Sequence, residues 1–166
     1  MANVLRLATD KAGYGKPLPA GHAHGIAMME GYDTFMAQVA EISVVGGNVK
    51  VHRVTVAADL GRMVNPDTVE AQIQSGIVFG MGPAIMQEIT LDKGRVQQNQ
   101  FDEFPLVRMN EAPAIDIILV NSTEKPGGIG EPAVALVAPA IANAVATLTG
   151  KRVRKLPING DAIRAA

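Results

Sequence analysis

The chain has 166 residues, enough to bury a core in one domain or two small ones. A formal net charge of −1, with lysine and arginine scattered except near Lys151–Lys155, gives no footing for nucleic-acid binding. Zero cysteines exclude disulfides, thiolate metal sites and thiol catalysis, and leave the compartment open.

Val4–Ala12 reads as a short helix, followed by a breaker-rich loop over Gly13–Gly25 that serves as a linker. Ile26–Gly31 is apolar enough for a short strand. Phe35–Val45 and Val49–Ala57 are strong strands joined by the hairpin signal Gly46-Gly47-Asn48. Ile42 and Val44 in the first, and Val49 and Val51 in the second, alternate with polar neighbours, so one face points inward. Asn65 can cap a helix, Pro66 fits its first position, and Asp67 and Glu70 complement its dipole. Val69, Ile73, Gly76, Ile77 and Gly80 recur at helical spacing to about Met86, and the two glycines imply that another element crosses closely. Glu88–Leu91 and Arg95–Gln97 form a weaker hairpin, and Phe101–Pro113 is irregular. Ile115–Val120 is nearly all apolar, as suits a sheet interior. Pro132–Leu148 is the second main helix, ended by Gly150 and kinked or divided at Pro139. Its most apolar part, Ala133–Leu148, reads as too short for a membrane span.

The fold class that follows is α+β: a two-layer domain with a mixed sheet and two main helices on one face. Residues 1–25 form the N-terminal helix and linker, and residues 26–166 form the domain proper. With 17 glycines, no Trp, two Tyr and four Phe, the core is packed mainly by Val, Ile, Ala, Leu and Met.

The segment from Lys125 to Pro132 carries the most chemistry. Gly127, Gly128 and Gly130 permit positive φ angles and close backbone approach. They precede a lone carboxylate, Glu131, and a helix-opening Pro132. Two readings fit: a glycine turn whose carboxylate simply faces the helix dipole, or a general base held in a tight loop. The segment is neither a dinucleotide fingerprint nor a phosphate-binding loop. His22 and His24 lack a third ligand nearby and read as residues of a solvated loop, so no metal ligand is assigned. His52 reads as an exposed sheet position. Gln72 points away from the apolar stripe of its helix and can reach a polar ligand or face water.

Three motifs occur in order: Asp59-Leu60-Gly61-Arg62-Met63-Val64-Asn65-Pro66, Ala71-Gln72-Ile73-Gln74-Ser75-Gly76 and Gly128-Ile129-Gly130-Glu131-Pro132. Together with Phe104–Glu111 and Thr149–Pro157, they resemble the C-terminal part of the molybdopterin-binding large subunit in the xanthine dehydrogenase and aldehyde oxidase family. The details look most like the branch that holds the isoquinoline 1-oxidoreductase beta subunits. This resemblance implies a molybdopterin cofactor, in bacteria usually the cytosine dinucleotide form, with electrons leaving through a [2Fe-2S] partner subunit. It implies that Glu131 is the general base in oxidation of an N-heteroaromatic or aldehyde by water-derived oxygen. It also implies that Gln72, Gly128 and Gly130 lie by the cofactor.

The family's subunit is several times longer, and its other domains supply most cofactor contacts. The expectation is therefore a fragment or split piece that binds no cofactor and is inactive alone, prone to self-association, and dependent on the remaining molybdenum-subunit domains. The alternative is a non-catalytic structural or assembly module. The compartment is left open, with a bacterial cytoplasm and periplasm both compatible with the resemblance.

Overall fold

Three long strands in succession set the frame of the molecule. A computed structural model describes residues 1–166. After helix α1 (Ala2–Ala12), strands β1 (His22–Gly31), β2 (Thr34–Val45) and β3 (Asn48–Asp59) form an antiparallel meander. Helix α2 (Pro66–Ile85) follows, then a small hairpin of β4 (Leu91–Asp92) and β5 (Arg95–Val96). Strand β6 (Ala114–Leu119) returns parallel to β3, giving the sheet order β1-β2-β3-β6. Helices α3 (Pro132–Thr149) and α4 (Gly160–Ala165) close the chain.

Both hairpins of the meander have two-residue turns. Gly46 and Gly47 take left-handed φ values of 61° and 85° between β2 and β3. The β1–β2 turn places Tyr32 and Asp33 in the same region, at φ 59° and 58°. For residues with a Cβ that conformation costs about 1–2 kcal/mol each, so the surroundings must hold it.

Alternation along β2 sorts the core. Met36, Ala40 and Ile42 pack with Ile73 and Ile77 of α2 and with Val137 and Ile141 of α3. Ala37 and Val39 face the other way, where Val4 and Ala8 of α1 cover them together with Ala57. The α+β class, the mixed sheet and the placement of α2 and α3 on one face are as the sequence indicates. Helix α1 adds a partial cover on the opposite face.

Four expectations need correction. Strand β1 begins at His22, within the segment expected to be loop. Strand β6 is an edge strand, not an interior one. Its apolar run has another cause: Ile115, Ile117 and Leu119 pack on the α2–α3 side while Ile118 packs on the α1 side. Helix α3 is not divided at Pro139. The carbonyl that loses its donor belongs to Ala135, which is exposed like Pro139, so water can satisfy it. Lastly, α3 has 18 residues and a mean hydropathy of 1.6, long and apolar enough to cross a membrane. Its position between the sheet and α2 accounts for that apolarity, with eight buried residues from Pro132 to Val145.

The helix–sheet contact is tightest at Gly25. A Cβ there would lie 2.1 Å from the Ala140 carbonyl oxygen and 2.2 Å from the Ala144 nitrogen. Next to it, the Asn143 amide donates to the Ile26 carbonyl at 2.9 Å, occupying a free group on the edge strand. Gly25→Ala is therefore expected to force α3 off β1 and lower stability by about 1–3 kcal/mol or more. Urea unfolding of the two proteins measures this, with a lower midpoint at similar slope as the expected result.

Candidate active site

The loop ahead of α3 is clamped on two sides by backbone. On one side, Gly127 N–H donates to the Leu60 carbonyl at 2.7 Å and Arg62 N–H to the Glu124 carbonyl at 3.0 Å. On the other, Gly128 N–H donates to the Tyr32 carbonyl at 2.7 Å, and the Thr34 hydroxyl donates to the Gly128 carbonyl at 2.7 Å. The hairpin tip of β1–β2 and the turn after β3 thus grip the same short loop.

Glycine is required here for space. A Cβ on Gly127 would come within 2.4 Å of the Asp33 carbonyl oxygen, and one on Gly61 within 1.9 Å of the Lys125 oxygen. Gly127, Gly128 and Gly130 do not adopt the positive φ angles that the sequence suggested; of the glycines in this grip only Gly61 does, at 74°.

The clamped loop delivers Glu131 to the N-cap of α3, with Pro132 as the first helical residue. Its carboxylate makes no capping bond, and the positive end of α3 favours negative charge at this place. The start of α3 is fixed from below by Gln38, which is fully buried and whose Nε2 donates to the Ala133 carbonyl at 2.7 Å. The Gln38 Oε1 atom is buried without a partner. From the side, Gly76 of α2 admits Ala133, where a Cβ would meet the alanine methyl at 2.9 Å. The sequence reading that another element crosses closely at Gly76 and Gly80 is met by α3.

This crossing brings Gln72, one turn before Gly76, to the loop. Its Nε2 lies 3.6 Å from where a Cβ of Gly130 would sit. Gln72, Gly130 and Glu131 line one open cleft of about 480 Å³, with Tyr32, Ser75 and Phe79. Gly128 does not line it and lies behind, against Tyr32, where a Cβ would be 3.1 Å from the tyrosine Cβ. No lysine or arginine borders the cleft. The phenol of Tyr32 is raised above its ordinary pKa of 10.0, first by hydrogen bonding to the Glu131 carboxylate and then by that group's charge. No short, well-aligned hydrogen bond joins the two side chains, so the raised pKa reports their proximity across the cleft.

Tyr32, Ser75 and Phe79 join the cleft without a clear signal in the sequence. Phe79 stands out only as an exposed aromatic beside the buried face of its helix. Tyr32 has no sequence signal, because Tyr-Asp is not a preferred pair for a two-residue hairpin.

The histidines lie on the sheet, away from this cleft. His24 is buried and stacks on Tyr14, contrary to the expectation of a solvated loop. His22 binds Glu41 at 2.7 Å and stacks on His52 with ring centres 4.2 Å apart. His52 is half-buried and shares a 2.8 Å hydrogen bond with Ser43, not the exposed position expected. No group of three or more His, Asp or Glu side chains converges as a metal site.

Comparison with known proteins gives matches in sequence and in fold. Residues 8–113 match the molybdopterin cofactor-binding domain. The chain is 33% identical to the beta subunit of isoquinoline 1-oxidoreductase from Brevundimonas diminuta, over 95% of its own length and 21% of that protein's. It is 32% identical to the molybdenum-binding subunit of aldehyde oxidoreductase from Escherichia coli, over 77% of its length and 19% of that protein's. Among solved structures, quinoline 2-oxidoreductase from Pseudomonas putida 86 superposes with a TM-score of 0.72 at 21% identity, over 80% of this chain and 18% of that one. The chain thus spans about a fifth of the length of these proteins.

Gly127→Ala is expected to separate the loop from the hairpin tip and speed hydrogen exchange of the Gly128 amide at least ~10-fold; mass spectrometry or NMR reads this directly. A second expectation concerns pH. Burial lowers the pKa of His24 below 6.5, opposed by the Glu41 charge. Burial also lowers that of His52, aided by the charges of His22 and Lys50 and opposed by Glu41. The unfolded chain then takes up protons first, so stability is flat above about pH 7 and falls as pH drops through 6.5 toward the folded-state values. Urea titrations across that window measure the slope, and His24→Gln is expected to reduce it.

Proposed function

The chain belongs to the molybdopterin cofactor-binding domain family of the xanthine dehydrogenase and aldehyde oxidoreductase group, and on that premise we propose that it contributes the general base of a molybdenum hydroxylase, with Glu131 in that role. The observation that carries the proposal is the placement of one carboxylate, on a rigidly held backbone, beside the Gln72 amide in an open cleft.

The cleft fits part of the cofactor. Gln72 and Ser75 offer neutral hydrogen-bonding groups, and the bare Gly130 edge allows close approach. With no basic residue on its rim, it is suited to the metal-bearing end and not to the phosphates. Gln72 and Gly130 would border that end, while Gly128 supports the loop from behind. The cofactor, of the cytosine dinucleotide form on this reading, supplies a two-electron redox centre.

The chain's own residues handle position and proton. Glu131 takes a proton from the water-derived oxygen nucleophile as that oxygen attacks the substrate carbon. With the cofactor bound, the Gln72 amide would hold its metal-bearing end by hydrogen bonds, and Tyr32 and Phe79 would flank the substrate's approach. In the net change a C–H bond and one water become C–OH, two protons and two electrons; the electrons would pass to the cofactor, and a [2Fe-2S] partner would carry them away. The substrate class is an N-heteroaromatic ring or an aldehyde, in keeping with the isoquinoline oxidoreductase branch.

Completion by further polypeptide is part of the proposal. Between α2 and β6 the segment over residues 86–113 exposes Leu91, Phe101, Leu106 and Met109, and its two halves are joined where the Gln87 side-chain amide donates a hydrogen bond to the Pro105 carbonyl at 2.9 Å. Such apolar exposure suits burial against the remaining molybdenum-subunit domains.

In the complete enzyme, Glu131→Gln is expected to lower turnover at least ~10²-fold, the scale of a lost general base, with molybdenum content unchanged. Steady-state kinetics with metal analysis checks this. Turnover near that of the unaltered enzyme would favour a purely structural or assembly role for the domain.

A further inference from the structure

A general base must present its lone pair in one direction, and nothing in α3 itself aims the Glu131 carboxylate. The residue makes no capping bond, and its side chain is solvent-facing at a helix start, where several rotamers are open to it. An orienting partner has to come from outside the helix.

The β1–β2 hairpin tip is placed to provide one. Its backbone is bonded to the base loop through the Tyr32 carbonyl and the Thr34 hydroxyl, both at 2.7 Å from Gly128 atoms. The side chain of Tyr32 leaves this junction into the same cleft as Glu131 and Gln72. Tyr32 also holds a left-handed backbone, φ 59°, in a turn where glycine or asparagine fits without strain. A strained residue with a partly exposed aromatic ring at the rim of a cleft points to a use for its side chain.

We propose that Tyr32 is the positioning residue for Glu131: its phenol donates toward the carboxylate across the cleft and fixes the direction in which that carboxylate opens. Hairpin tip and base loop then act as one unit, the backbone contact setting where Glu131 stands and the phenol setting how it points. The raised pKa of the phenol agrees with this role, since Tyr32 keeps its proton, and so remains a donor, beyond the pH range in which an ordinary tyrosine does. The inference rests on the reading of Glu131 as the base.

The contact and the function are tested separately. The chain has two tyrosines, so in a Tyr14→Phe background the phenolate absorbance reports Tyr32 alone. Its midpoint is expected above the ordinary 10.0 and to fall back on Glu131→Gln. An unchanged midpoint overturns the proposal, whatever Glu131 does in catalysis. In the complete enzyme, Tyr32→Phe keeps the backbone clamp and is expected to reduce kcat about tenfold while KM stays within about twofold. Unaltered kcat in Tyr32→Phe, alongside an inactive Glu131→Gln, overturns the positioning role and leaves the base reading intact. An active Glu131→Gln removes the base reading, and the positioning role with it.

Discussion

The contact on which the site depends is made of backbone: a glycine loop held between the β1–β2 hairpin tip and the turn after β3. There is no room for a Cβ at Gly61 or Gly127, and bonds of 2.7 Å reach the loop from Leu60, Tyr32 and Thr34. Backbone grips of this kind are stiff, because the main chain has no rotamers to change. The carboxylate that follows inherits that stiffness at its Cα, although its own side chain lies in solvent. Two left-handed residues at the hairpin tip are the conformational cost of bringing the tip to the loop.

The second fixture is the burial of α3. The helix is held between the sheet and α2, with glycines at each crossing: Gly25 on the strand side, Gly76 and Gly80 on the helix side. Gln38 then pins the first turn from inside the core. Its orphaned Oε1 shows the cost of using a polar side chain there. The geometry suggests that the cost is borne to fix the helix start, and so the place from which Glu131 projects. The cleft above is open to solvent.

Much of this is legible in the sequence, for local reasons. Asn65-Pro66 signals a capped helix start, and the cap forms, with Asn65 accepting from Thr68 N–H at 3.2 Å. Gly76 and Gly80 at helical spacing announce a close crossing that α3 supplies. The three ordered motifs from Asp59 to Pro132, with Phe104–Glu111 and Thr149–Pro157, carry the resemblance to the family. What the sequence hides is non-local. The β1 edge strand runs through a stretch of Gly, His and Ala that carries turn-like composition, because α3 and the Tyr14 ring bury it. The apolar run of β6 reads as a sheet interior, since a strand covered on both faces and one paired on both edges look alike in sequence. Tyr32 carries no local signal because its importance comes from a turn type that its residues do not favour.

The most direct test of the central claim is a structure of the complete protein with molybdopterin bound. The account expects the Glu131 carboxylate to face the metal across the cleft, within hydrogen-bond reach (about 2.6–3.2 Å) of the nearest group at the metal, with Gln72 on the same side. A metal lying at another surface of the domain, or a Glu131 carboxylate turned away from it toward solvent, would contradict the account.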